Sequence, residues 1–214
     1  MLNVFSDQTW LARLIWSALA AVMLWAIWQR QFELSFVALA TLGLSLAPVY
    51  VAKWADIFVP PSFIAALAIF VGGTLFLGEV FDFYERLWWW DMAMHASSAI
   101  GFGLIGFVLV FMMFQGDRFA APPVGVAVFA FCFAVTIGTM WEVFEFAVDQ
   151  LFGLNMQKSG LMDTMGDLIV NTGGAVIGAA AGFGYLKGQA RGGLAAVIDE
   201  FVQRNPRLFR RWKK

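Results

Sequence analysis

Polar residues are sparse along this chain and fall mostly between long apolar runs. Six runs stand out, at about Thr9 to Trp28, Phe32 to Ala52, Pro60 to Phe83, Asp91 to Phe114, Val124 to Asp149 and Asp163 to Leu186. At 1.5 Å per helical residue, about 20 residues cross the roughly 30 Å hydrocarbon layer of a bilayer. The pattern therefore predicts an all-α polytopic membrane protein with six transmembrane helices. Pro60 and Pro61 sit where the third helix starts, and Pro122 and Pro123 open the fifth after the polar turn Gln115 to Arg118; proline is tolerated there because the first helical N–H groups have no intrahelical partner. The first run has no basic leader and continues into Trp25 and Trp28 without an evident cleavage site, so a retained span is expected rather than a signal peptide.

Residues 1–186 thus form the transmembrane domain, and residues 187–214 a basic, amphipathic cytoplasmic tail. Within the tail, Leu194, Val197, Ile198 and Phe201 recur at helical spacing beside Asp199, Glu200 and Arg204. A surface helix is predicted, followed after Pro206 by a loose cationic end.

Composition sharpens this picture. A chain that is 61% hydrophobic and 14% charged, with a mean hydropathy of +0.74, is not an ordinary soluble domain. Its net charge of −1 conceals an asymmetry, because Lys187, Arg191, Arg204, Arg207, Arg210, Arg211, Lys213 and Lys214 all lie in the tail. With both termini cytoplasmic, Arg13, Lys53 and Arg118 join them inside, against Arg30, Arg86 and Lys158 outside. This arrangement obeys the positive-inside rule. The tail suits an anionic phospholipid surface, and nucleic acid is excluded as a partner. Membrane lipid is the expected surrounding, and an oligomer is left open. Trp88, Trp89, Trp90 and Trp141 are read as interfacial anchors. Gly174, Gly178 and Gly182, with Gly101, Gly103 and Gly106, are read as packing seams. The single cysteine, Cys132, rules out a disulfide within the chain and is expected to pack as a small apolar residue.

Against this background the acids are conspicuous. Glu142, Glu145 and Asp149 lie at i, i+3 and i+7 on one face of the fifth helix. A carboxylate costs roughly 2.5–3.5 kcal/mol at the centre of a bilayer and less near its surface. Glu142 and Glu145 approach the helix C-terminus, where negative charge is disfavoured. Asp91 and Asp163, by contrast, stand at helix starts, where capping alone would account for them. His95, the only histidine, follows Asp91 by one turn.

The acids also repeat. Glu79-Val80-Phe81-Asp82-Phe83 and Glu142-Val143-Phe144-Glu145-Phe146 are 63 residues apart, whereas Asp91 with His95 and Asp163 with Asp167 are 72 apart. The second offset also aligns Gly101 with Gly173 and Gly106 with Gly178. This predicts an internal duplication of helical hairpins, at about 60–114 and 124–186, related by a pseudo-two-fold axis along the membrane normal. All the acids would then meet near the outer face, with Asn171 one turn deeper.

Crowded carboxylates need protons or cations between them. Glu79, Asp82, Asp91, His95, Glu142, Glu145, Asp163 and Asp167 are the candidate metal ligands, and His95, Glu142 and Asp167 the candidate catalytic groups. Oxygen donors with one imidazole suit Mg²⁺, Mn²⁺ or Ca²⁺, with Zn²⁺ and iron as other options. Phosphate-loop, nucleophile-elbow, His-Glu-x-x-His and dinucleotide motifs are not found. Three functions fit: a metal-dependent enzyme acting on a lipid or lipid-linked substrate, a cation- or proton-coupled transporter, and a structural or accessory membrane subunit.

The joint pattern Asp91-x-x-x-His95, Glu142-x-x-Glu145, Asp163-Thr164-x-x-Asp167, spread over about Gly72 to Gly182, resembles the YjdF-type family of bacterial inner-membrane proteins of unknown function. More distantly it is similar to VanZ-like membrane proteins linked to glycopeptide resistance. Met92 departs from the first pattern, where a basic residue is expected. The resemblance implies a six-helix protein of the bacterial inner membrane and supplies no settled activity.

Overall fold

A computed structural model of the chain describes residues 7–114, 121–189 and 192–209. The polar turn at Gln115 to Arg118, Arg191 of the tail and the last basic cluster lie outside them. Among the described residues the secondary structure is wholly helical. Six helical stretches are long and apolar enough to cross a membrane, at Trp10–Trp28, Phe32–Trp54, Pro61–Val80, Trp90–Met113, Pro123–Phe152 and Leu161–Leu186. The fold expectation of six spans holds. The chain divides into two compact units, Met1–Trp90 and Asp91–Lys214.

In the first unit, α1 (Trp10–Trp28) starts behind Thr9, whose hydroxyl accepts the Ala12 N–H at 3.2 Å. It packs with α2 (Phe32–Trp54) and α3 (Pro61–Val71) around Ala12, Trp16, Val49, Ile64, Ala65 and Ala68. The third span was expected to run as one helix to Phe83, and it does not. From Gly72 to Val80 it is a π-helix, and Asp82 adopts a left-handed conformation at φ 56°. Two consecutive glycines weaken the α-helical hydrogen-bond ladder at this point. The Thr74 hydroxyl bonds the Phe70 and Val71 carbonyls, and the Trp90 indole N–H donates to Gly73 O at 3.2 Å, so displaced backbone groups find side-chain partners. A short helix, α4 (Phe83–Arg86), follows.

The second unit is built on α5 (Trp90–Met113), α6 (Pro123–Phe152) and α7 (Leu161–Leu186). The fifth span overruns its expected end, because the helix is stopped only by Gly153, at φ 67°, whose N–H returns to Asp149 O. Glycines set how closely α5 and α7 approach. A Cβ on Gly178 would lie 2.7 Å from Ile100 O and 2.9 Å from Gly103 Cα, and one on Gly174 would lie 2.6 Å from Ala96 O. Gly106 receives the Phe133 ring of α6, and Gly182 the Phe107 ring. Gly101 departs from the expected seam, since nothing lies within 4 Å of its Cβ direction; Gly173, its aligned counterpart, is equally open. Cys132 is exposed on α6 instead of packed, because the inward face there is taken by Ala130 and Ala134.

The tail is less loose than its sequence suggests. Amphipathic α8 (Gly193–Arg204) buries Ala195 and Ile198, and Pro206–Phe209 closes as a 3₁₀ turn. Phe209 lies 5.5 Å from Phe111 and 6.2 Å from Phe201, while Tyr185 meets both Phe107 and Phe111 edge-on. Each such aromatic pair contributes about 0.5–1.5 kcal/mol beyond its buried area.

The seam generates a paired test. Gly178→Val is expected to overpack α5 against α7 and cost about 1–3 kcal/mol, read as a lower melting temperature in detergent. Gly173→Ala, with open space around it, leaves the melting temperature unchanged or slightly higher.

Candidate functional site

Each of α5, α6 and α7 contributes residues one turn apart, which places them on one face. From α5 come Asp91 and His95, from α6 Gly138 and Glu142, and from α7 Asp167 and Asn171. They converge on the His95 imidazole. Nε2 faces Asp91 Oδ1 at 3.5 Å and Asp167 Oδ2 at 3.9 Å. Nδ1 faces Asn171 Nδ2 at 3.3 Å and Glu142 Oε1 at 3.8 Å. The ring thus separates two acidic sides.

On the Nε2 side, ligand atoms of Asp91, His95 and Asp167 all lie within 4.8 Å of one another. Neighbouring donors of a six-coordinate ion at 2.1–2.4 Å are about 3.0–3.4 Å apart, so the histidine–carboxylate pairs at 3.5 and 3.9 Å are close to that spacing, while the group as a whole, spread over up to 4.8 Å, would have to draw in by roughly an ångström or more. Asp167 and His95 are buried, while the Asp91 side chain is 33% exposed and marks the open side. On the Nδ1 side, Glu142 is 4% exposed and neither of its oxygens has a hydrogen-bond partner. The Thr164 hydroxyl approaches Glu142 without closing a well-formed bond onto either oxygen. Asn171, 1% exposed, likewise leaves Oδ1 unpaired. Unsatisfied buried acceptors are costly, about 1–3 kcal/mol each and more when charged, so this environment fits a cation or proton donor better than an ordinary helix contact.

The remaining expected ligands have other partners or positions. Glu145 turns toward Trp141, whose indole donates to Oε1 at 2.9 Å. Trp141 is therefore more than a membrane anchor. Asp163 accepts the Lys158 N–H at 3.1 Å in the loop before α7, and its carboxylate still lies within electrostatic range of Asp91 and Asp167. Asp149 accepts the N–H groups of Met156 and Gln157 at 2.7 and 2.9 Å, so it holds the α6–α7 loop and explains the overrun of its helix. Glu79 and Asp82 belong to the first unit, where both are exposed and Asp82 pairs with Arg86 at 3.4 Å. The two acidic repeats also differ locally, Glu79 lying in the π-helix and Glu142 in regular α-helix.

Gly138 also shapes the site, although it is not among the residues expected from the sequence. A Cβ there would lie 2.8 Å from Asn171 Nδ2, so the glycine makes the room in which the amide reaches His95. Its position one turn before Glu142, in a helix of bulky apolar residues, was the available signal.

For the loop, Asp149→Ala is expected to free two backbone donors and cost about 1–3 kcal/mol. Limited proteolysis between Gly153 and Gly160 should accelerate, and Asp149→Asn, which keeps one acceptor, should fall between.

An uncharacterised protein of Thermotoga maritima is 31% identical over 97 residues, covering 44% of this chain and 47% of that protein, so the match spans about half of each. No solved structure matches. Residues 11–188 match the family described as "Predicted membrane protein (DUF2238)", and this protein belongs to that family.

Proposed function

We propose that the protein binds one divalent cation through Asp91, His95 and Asp167 and uses it on an anionic lipid or lipid-linked substrate at the membrane surface. The observation that carries this reading is the convergence of three ligand atoms within 4.8 Å, two from buried side chains, beside a Glu142 carboxylate with no other partner. Two carboxylates and one imidazole favour Mg²⁺, Mn²⁺ or Ca²⁺ and are compatible with Zn²⁺ or iron. Three protein donors leave positions for substrate or water, as in catalytic metal sites. A cation held there would supply Lewis-acid polarisation of a phosphoryl or carbonyl oxygen. Asp91, on the exposed side, fits a substrate approaching from the headgroup region, and Glu145, Asp163 and Thr164 line the same end of the helices.

The bacterial inner membrane, with both termini cytoplasmic and the acidic end outward, is the location that best fits the positive-inside pattern and the resemblance to YjdF-type proteins. A cation- or proton-coupled carrier would need a polar route onward from the site. Beyond Asn171 the buried face of α7 continues as Gly174, Ala175, Gly178, Ala179 and Gly182, all small, with the three glycines set closely against α5. That favours a one-sided site over a transport path, and the partial ligand set favours chemistry over a purely structural ion.

The test is metal content and turnover in nanodiscs. Chelator-treated protein re-equilibrated with Mn²⁺ should hold one ion per chain by elemental analysis. His95→Ala or Asp167→Asn should weaken binding by about 100-fold or more, whereas Glu79→Gln should not. Mn²⁺-dependent hydrolysis of a phosphorylated lipid in the same discs supports the enzyme; Mn²⁺ uptake into sealed vesicles without turnover overturns it in favour of the carrier. Equal binding by wild type and both site variants removes the cation site itself.

A further inference from the structure

Nothing in the cation reading assigns a task to Asn171, yet its side chain is nearly completely buried and reaches across from α7 to the imidazole of α5. The observed contact, amide Nδ2 to ring Nδ1 at 3.3 Å, has a definite chemical meaning. With the amide nitrogen toward the ring, Nδ2 donates, which matches an unprotonated Nδ1 and a ring proton on Nε2. There it points between Asp91 Oδ1 and Asp167 Oδ2. This tautomer turns the ring N–H toward the acidic side, where the carboxylate oxygens stand 3.5 and 3.9 Å from Nε2. It also leaves Asn171 Oδ1 as a buried acceptor with no partner.

A cation on Nε2 requires the opposite tautomer. The ring would keep a single proton, moved from Nε2 to Nδ1, and Nδ1–H would then need an acceptor. Asn171 can supply it without moving its backbone, because a half-turn of the amide about its last side-chain bond exchanges Nδ2 for Oδ1. Gly138 leaves the space in which this happens, since its missing Cβ would lie 2.8–3.3 Å from the Asn171 side chain. Glu142, on the same side of the ring, adds a carboxylate toward the Nδ1 proton.

We propose that Asn171 is the positioning residue of the cation site: its buried amide, accommodated by Gly138, turns over with the His95 tautomer, donating to Nδ1 when Nε2 faces the aspartates alone and accepting from Nδ1–H when Nε2 holds a cation. This builds on the proposed cation site and adds the residue that tunes it. Asn171 does not touch the cation.

Because His95 is the only histidine, ¹⁵N-histidine labelling yields a one-residue spectrum. Metal-free protein should show the Nε2–H tautomer, and protein loaded with Zn²⁺ the Nδ1–H tautomer. Asn171→Ala should weaken Zn²⁺ binding by about 10- to 100-fold, and Asn171→Asp, which retains an acceptor, should recover most of it. Gly138→Ala, a change that favours the helix itself, should weaken Zn²⁺ binding like Asn171→Ala by displacing the amide. A metal-free histidine already in the Nδ1–H form, or undiminished Zn²⁺ affinity in Asn171→Ala, overturns the inference. If the wild type takes up neither Mn²⁺ nor Zn²⁺, the cation-site reading fails by itself. The metal-free tautomer, and its change to Nδ1–H in Asn171→Asp, then decides the inference independently.

Discussion

One imidazole joins three helices. His95 of α5 is the group toward which Asp167 and Asn171 of α7 and Glu142 of α6 all turn, and it is the basic member of a cluster otherwise made of acids and an amide. Two unit charges 4 Å apart interact by about 4 kcal/mol at an effective dielectric of 20. Carboxylates brought this close therefore repel one another unless positive charge or protons stand among them. The imidazole can serve both of its sides at once, because its two nitrogens exchange donor and acceptor roles. This two-sidedness distinguishes the arrangement from a set of isolated helix caps.

The same convergence depends on backbone spacing. Helices approach closely enough for one-turn side chains to meet only where their contact faces are small, and Gly103, Gly174 and Gly178 meet that need along α5 and α7. The polar residues occupy the turns next to this seam. Packing of small residues fixes the helices, and the fixed helices hold the polar groups at 3.3–3.9 Å from the ring. The loop that returns α6 into α7 is held in turn by Asp149, so an acid outside the cluster helps to set the register of those inside it.

Much of this was legible in the sequence. Six spans follow from apolar runs of bilayer length, and Asp91, His95, Glu142 and Asp167 stood out because acids and a lone histidine at one-turn spacing have no place on a lipid-facing helix. Asn171 was visible as the next turn of the same face. The rest was hidden for physical reasons. Glu79 and Asp82 copy the motif of Glu142 and Glu145, yet motif similarity does not carry backbone conformation: Glu79 lies in a π-helix that opens on a glycine pair, and Asp82 is left-handed beyond its end. Asp149 shares a helical face with Glu142, but that face leaves the bundle and meets a loop. Gly138 carries no side chain to announce itself, and its importance emerges only when the opposite amide is in place.

A cation on the Nε2 side of His95 is the requirement on which the proposed chemistry depends. Anomalous diffraction from crystals soaked in Mn²⁺ addresses this directly. A single peak at about 2.1–2.4 Å from His95 Nε2 and from carboxylate oxygens of Asp91 and Asp167 is the predicted result. An ordered map with no peak there, or with its peak beside Glu79 and Asp82, would contradict it.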